Sequence, residues 1–102
     1  MAEITKDISH EFERGVMLRV LVSWNLEWMP FRELRVQSVS RLGYILSDEE
    51  VRFQLNYLIQ SGYAESKTLR AGRTDFELAV VRATAKAVDL AEARTADPGI
   101  AL

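Results

Sequence analysis

The spacing of apolar residues predicts three consecutive helices in the first part of the chain. In the first segment an apolar residue recurs every four positions from Ile8 to Trp24, close to the period of an α-helix, and Met17 and Leu21 add a second row on nearly the same face. Pro30 precedes the second segment and Gly43 follows it. Proline suits the first turn of a helix and glycine suits its C-cap, so both mark boundaries. The predicted helices cover residues 8–24, 31–42 and 47–61.

The third helix carries the clearest boundary signals. Ser47 and Glu50 match the capping-box pattern, in which each side chain bonds the backbone N–H of the other residue. The acidic side chains of Asp48, Glu49 and Glu50 also suit the positive end of the helix dipole. We therefore interpret this acidic triplet first as a capped helix start. Gly62 marks the end of the helix.

After Gly62 the pattern changes to shorter runs that are typical of β-strands. Residues 63–69 alternate roughly between apolar and polar, and a second run occupies residues 76–81. The turn signal Ala71-Gly72-Arg73 separates them. These features predict a hairpin over residues 63–83.

A last helix is predicted over residues 84–95, with Thr84 as its cap. Asp97-Pro98-Gly99 breaks this pattern, and residues 100–102 are expected to be frayed. The order helix, helix, helix, strand, strand, helix predicts a mainly α protein with a β-hairpin, which is an α+β fold. A length of 102 residues fits one domain over residues 1–102.

Composition narrows the chemistry that such a domain could perform. The chain lacks cysteine and has one histidine, so it offers no thiolate metal site, no cysteine nucleophile and little basis for a His-based active site. His10 next to Glu11 is a poor metal signal without a second nitrogen ligand. We expect a binding module and not an enzyme, with no cofactor. A formal net charge of −2 gives no general attraction to nucleic acid.

Two segments resemble bacterial winged-helix regulators. The run from Leu55 to Glu65 is similar to their third helix and first wing strand, and the run from Thr84 to Leu90 is similar to the segment that starts their last helix. Ala87 stands where those proteins usually have glycine. MarR-like and PadR-like regulators are the most similar, and small bacteriophage winged-helix proteins also look similar. The resemblance implies a winged-helix fold, a role in transcription and double-stranded DNA as partner.

In the resembling proteins the third helix enters the major groove, which assigns base reading to its exposed residues. Arg52 has the chemistry to pair with guanine, and Gln54 and Asn56 have the chemistry to pair with adenine. Phe53 would contact a thymine methyl group. These four residues are the candidate base-reading side chains.

Phosphate contacts are expected from the wing and the second helix. The wing offers Lys67, Arg70 and Arg73, and the second helix offers Arg35 and Arg41. The alternative for the wing cations is a solvated hairpin whose charges prevent edge-to-edge aggregation. Positive charge is concentrated in these two regions, whereas the third helix region is net negative. The acidic triplet therefore predicts weak or dimer-dependent DNA binding, because phosphate neutralisation supplies much of the affinity.

The sequence also allows partners other than DNA. The resemblance implies a homodimer through the first helix and the C-terminal helix. A winged helix used only for protein–protein interaction is the alternative function, favoured by net acidity and by Phe53 and Tyr57 on the third helix. The aromatic cluster around Trp24 and Trp28 is interpreted as core, or as an interface if Trp28 is exposed. No signal peptide or membrane segment is evident, so a cytoplasmic location is expected.

Overall fold

The computed structural model describes residues 6–70 and 77–102, with side chains from His10 onward in the first range. These residues form four helices and three strands. They are α1 (Lys6–Val22), β1 (Met29–Pro30), α2 (Phe31–Leu42), α3 (Asp48–Gln60), β2 (Ala64–Arg70), β3 (Glu77–Ala83) and α4 (Ala85–Ala91).

Helix α1 supplies a central part of the core, and its buried face agrees with the sequence prediction in part. Met17, Leu18 and Leu21 are buried, whereas Phe12 is 48% exposed. An α-helix has 3.6 residues per turn, so a row of residues spaced by four drifts steadily around the axis. Phe12 and Val20 belong to the same row, yet only Val20 lies in the core. The helix covers Lys6–Val22, against a predicted span of residues 8–24.

Helices α2 and α3 form the helix-turn-helix unit, and their boundaries follow the local signals. Pro30 is the N-cap of α2, and Gly43 ends it with φ of 83° in the left-handed region. At α3 the capping box is complete: Ser47 Oγ accepts from the N–H of Glu50, and the Glu50 carboxylate accepts from the N–H of Ser47. Leu46, in the turn that joins the two helices, is buried in the hydrophobic core.

The hairpin belongs to a three-stranded antiparallel sheet of order β1-β3-β2. Strand β1 was not predicted, because two residues carry no detectable period. It pairs Met29 with Val81, and β2 pairs with β3 from Ala64↔Ala83 to Arg70↔Glu77. The sheet packs its Val81 face against the helices.

The C-terminal region differs from the sequence prediction in three respects. Thr84 lies at the N-cap of α4, but its hydroxyl donates to the carbonyl of Gly62 at 2.6 Å and does not cap the helix. Helix α4 ends at Ala91, before the predicted boundary at residue 95. The following segment is not frayed, since Ile100 is buried in the core. Within the described ranges, no helix is long and apolar enough to span a membrane.

Candidate nucleic-acid interface

Three side chains form the outer face of α3. Arg52, Phe53 and Asn56 are exposed, and Phe53 is 58% accessible. The Arg52 guanidinium lies 4.5 Å from the centre of the Phe31 ring, which is buried at the start of α2. This cation–π contact orients Arg52 without using its N–H donors, and no other described residue accepts a hydrogen bond from its guanidinium.

Gln54 is a correction to the predicted set of base-reading residues. It is only 2% exposed, because its side chain faces α1. Its Oε1 accepts from Arg14 Nε at 2.8 Å, and its Nε2 donates to Glu13 Oε1 at 3.3 Å. Both the acceptor and the donor group of the amide are thus bonded inside the protein, so Gln54 is not placed to contact a base edge. Its spacing from Val51, three residues earlier on the buried face, was the available signal.

A groove of about 710 Å³ separates α3 from the sheet. Arg52 and Asn56 line it from the helix, and Ser66, Lys67 and Thr68 line it from β2. Its floor is apolar and includes Val81. The recognition-helix candidates and the first wing strand therefore share one concave surface with polar donors on both walls.

Lys67 is held by Trp28, a residue whose role the sequence did not reveal. Its Nζ lies 4.2 Å from the centre of the Trp28 ring, and the Arg82 guanidinium lies 4.4 Å from that centre. Arg82 also pairs with Glu65 at 2.7 Å. Trp28 is partly buried, so it neither joins the core fully nor forms an isolated exposed patch. It organises two cations at the base of the wing.

The remaining cations of the wing differ in what the structure describes. Arg70 is exposed and pairs with Glu77 across the hairpin at 3.0 Å. Such an exposed pair is worth little and opens readily for another anion. Arg73 lies outside the described residues.

On α2, Arg35 and Arg41 have different surroundings. Arg35 Nε donates to the carbonyl of Leu46 at 2.8 Å and lies 3.4 Å from Asp48 Oδ1. It therefore helps to fix the turn before α3. Arg41 is exposed in the last turn of α2, where a cation also suits the helix dipole.

The acidic triplet at the start of α3 is less uniform than its sequence suggests. Asp48 is compensated by Arg35, and Glu50 is occupied by the capping box. The hydrogen bonds from the backbone and side chain of Ser47 lower the pKa of Glu50. Glu49 is the member that lines the groove. Glu50 therefore stays ionised, and Glu49 is the carboxylate of the triplet that lies nearest to an anionic partner in the groove.

The described residues contain no group of three His, Cys, Asp or Glu side chains placed to hold a metal ion. His10 instead packs its ring against Phe53, with 5.5 Å between ring centres. The chemistry available at this surface is therefore hydrogen bonding, cation contact and apolar packing.

No protein-family model matches the sequence, and no curated protein matches it. Among solved structures, the fold is similar to that of a protein assigned as a transcriptional regulator, TA0346 from Thermoplasma acidophilum. The TM-score is 0.66 and the identity 20%, over 85% of this chain and 84% of that chain. It is also similar to the reduced form of the transcriptional regulator YodB from B. subtilis, with a TM-score of 0.58 and 17% identity, over 79% of this chain and 69% of that chain. These likenesses establish the fold: the chain has the α+β winged-helix architecture.

Proposed function

We propose that the protein is a DNA-binding transcriptional regulator that recognises double-stranded DNA by docking. The observation that carries this proposal is the shared groove, which places Arg52 and Asn56 of α3 opposite Lys67 of the wing. The similarity of the fold to two structures described as transcriptional regulators supports it. No step of catalysis is required.

In this proposal α3 enters the major groove. Arg52 donates to the acceptors of guanine, and Asn56 forms the two hydrogen bonds that adenine offers. Phe53 contacts a thymine methyl group, for which its exposure makes it available. The stacking of Arg52 on Phe31 reduces the freedom that the guanidinium would lose on binding.

The wing and α2 would hold the phosphate backbone. Lys67 and Arg70 extend from β2, and Arg73 is included on the basis of the sequence alone. Arg41 is a further phosphate ligand in this proposal, whereas Arg35 acts first on the turn that presents α3. These contacts fix position on the duplex and supply affinity that does not depend on sequence.

We further propose a homodimer that uses α1 and α4, which would double a modest phosphate footprint. Phe12, half exposed on the outer side of α1, supports this arrangement. A dimer would also offset the repulsion that Glu49 exerts on a single bound phosphate backbone.

The test is a pair of variants measured against duplexes selected by the wild-type protein from a random pool. R52A combined with N56A should weaken binding to the selected sequence by about tenfold or more, because each bidentate base contact contributes roughly 1–3 kcal/mol of discrimination. R94A removes one charge from the region after α4 and should bind nearly as the wild type does. Equal affinity of the double variant and R94A would overturn the assignment of α3.

A protein-interaction module is the second candidate. Ile45, in the turn before α3, is 78% exposed, and Phe53 lies on the same helix-turn-helix unit. With Glu49 nearby, these residues would suit a partner with apolar and basic side chains. This function would be favoured if the protein binds no duplex DNA at low salt but binds a peptide that carries apolar and basic side chains.

A further inference from the structure

The segment from Asp97 to Leu102, here named the C-terminal clasp, is seated against α1 and α3. Ile100 is buried in the core, and the N–H of Ala101 donates to the carbonyl of Glu11 at 3.0 Å. Gly15 of α1 leaves the space for this contact, since a Cβ at that position would collide with the carbonyl oxygen of Ala101. The clasp is therefore a packed part of the molecule.

Asp97 links the clasp directly to α3. Its carboxylate accepts from the hydroxyl of Tyr57 at 3.2 Å, from that of Tyr63 at 2.9 Å and from the N–H of Gly99 at 2.8 Å. Burial alone would raise the pKa of Asp97, but these hydrogen bonds and the nearby charge of Lys86 outweigh it and lower the pKa. The carboxylate is thus ionised at neutral pH and holds both phenols as donors.

Arg14 connects the same three elements from the side of α1. Its Nε donates to Gln54 Oε1 at 2.8 Å, and its Nη1 donates to the carbonyl of Gly99 at 3.1 Å. Its guanidinium lies 3.9 Å from the centre of the Tyr57 ring. Tyr57 is therefore held through its hydroxyl by the clasp and through its ring by α1.

We propose that the C-terminal clasp positions α3 for recognition, with Asp97, Arg14 and Tyr57 as the positioning residues. This inference rests on the proposed DNA-binding function and names what sets the orientation of its recognition helix. Gln54 and Tyr57 are three residues apart and lie on neighbouring parts of one helix face. Holding both fixes the rotation of α3 about its axis, and with it the direction of the side chains on the opposite face.

The rotation matters because base recognition tolerates little angular error. Adjacent residues of an α-helix point about 100° apart, and a binding constellation must be held within roughly 10–20° of its productive geometry. Asn56 precedes Tyr57 directly, and Phe53 lies one turn before it. A release of Tyr57 would therefore misdirect the residues that we assign to the bases.

The sharpest test compares two phenols that bond the same carboxylate. Y57F and Y63F each remove one hydroxyl donor to Asp97 and leave the net charge unchanged, but only Tyr57 lies on α3. We expect Y57F to weaken duplex binding by about three- to tenfold, a size typical of coupled positions outside a binding site. Y63F should change affinity by less than twofold, roughly within measurement error, even if it lowers the melting temperature.

D97N supplies a second comparison, because its change in charge and its loss of positioning should shift the DNA affinity in opposite directions. Removal of a negative charge should by itself strengthen binding to DNA slightly, and D89N in α4 provides that control. The positioning role predicts that D97N binds more weakly than D89N.

The outcomes separate the two claims. If the wild-type protein does not bind duplex DNA at low salt, the proposed function is wrong and this inference falls with it. The function stands and the positioning role is overturned if the wild type binds, Y57F binds as tightly as the wild type, and D97N binds as tightly as D89N. If D97N loses its helical circular dichroism, the comparison of Y57F with Y63F decides.

Discussion

At the scale of single residues, the candidate interface depends on which charges are already occupied. Arg52 is oriented by an aromatic ring and keeps its donors, whereas Arg35 uses its donors on the turn before α3. Glu50 is consumed by the capping box, and Glu49 faces the groove. Formal charge by segment counts these groups alike and does not show that, of the three acids, it is Glu49 that lines the groove.

Glu49 gives the first prediction at this scale. E49Q should strengthen binding to duplex DNA about two- to fivefold at low salt, because it removes one negative charge from the groove that would face phosphate. Fluorescence anisotropy with a labelled random duplex measures the change. E92Q, which removes the same charge at the end of α4, is the control. Equal gains in both variants would show that only net charge matters.

Asp97 gives the second prediction, for stability. Its folded pKa lies below its unfolded value, so its ionised form stabilises the protein above the unfolded pKa of about 4, and this contribution is lost as the pH falls through the folded pKa. In urea unfolding, the wild type should exceed D97N in stability at pH 7. The difference should shrink as the pH falls towards 3. A difference that stays constant between pH 7 and 3 would contradict the proposed ionic role.

At the scale of elements, the sequence predicted the helix boundaries that depend on neighbouring residues. The capping box and Gly43 placed the turn between α2 and α3, because capping depends only on neighbouring residues. Strand β1 escaped detection, since two residues become a strand only through pairing with β3. The face of α1 was predicted in part: Val20 is buried, but Phe12 is exposed because a spacing of four does not remain on one side of a helix.

The candidate site was predictable to a similar extent. The exposure of Arg52, Phe53 and Asn56 followed from helical spacing in α3. The burial of Gln54 was signalled only by its spacing from Val51, because Arg14, which bonds its side-chain amide, lies 40 positions away in sequence. The clasp was missed for the same reason: its Asp-Pro-Gly start is a local breaker, and its contacts with α1 and α3 are entirely non-local.

The wing provides the prediction at the scale of an element. R70A combined with R73A should weaken binding to all duplex sequences and flatten the dependence of affinity on salt, because each lost phosphate contact reduces the slope by about one. The loss of Arg70 also leaves Glu77 uncompensated beside the DNA. Affinity is measured at several salt concentrations against R19A combined with R94A, which removes the same charge elsewhere. An unchanged slope would refute the wing assignment.

At the scale of the whole molecule, one hydrophobic cluster joins α1, the helix-turn-helix unit, the sheet and the clasp. The helix-turn-helix unit, the sheet and the clasp are therefore parts of one packed unit, in which α1 packs against α2, α3, α4 and β3. A net charge of −2 does not describe this arrangement, because α2 and the wing are net positive in sequence although Arg35, Arg70 and Arg82 each pair with an acid. Any attraction to DNA must be local to one face.

The most direct measurement of the central claim is an anisotropy titration of the wild-type protein with random-sequence duplex DNA at two salt concentrations. The proposed docking of α3 and the wing predicts measurable binding at low salt that weakens steeply as salt rises, since phosphate contacts release counterions. Absence of binding at low salt would contradict the proposed function.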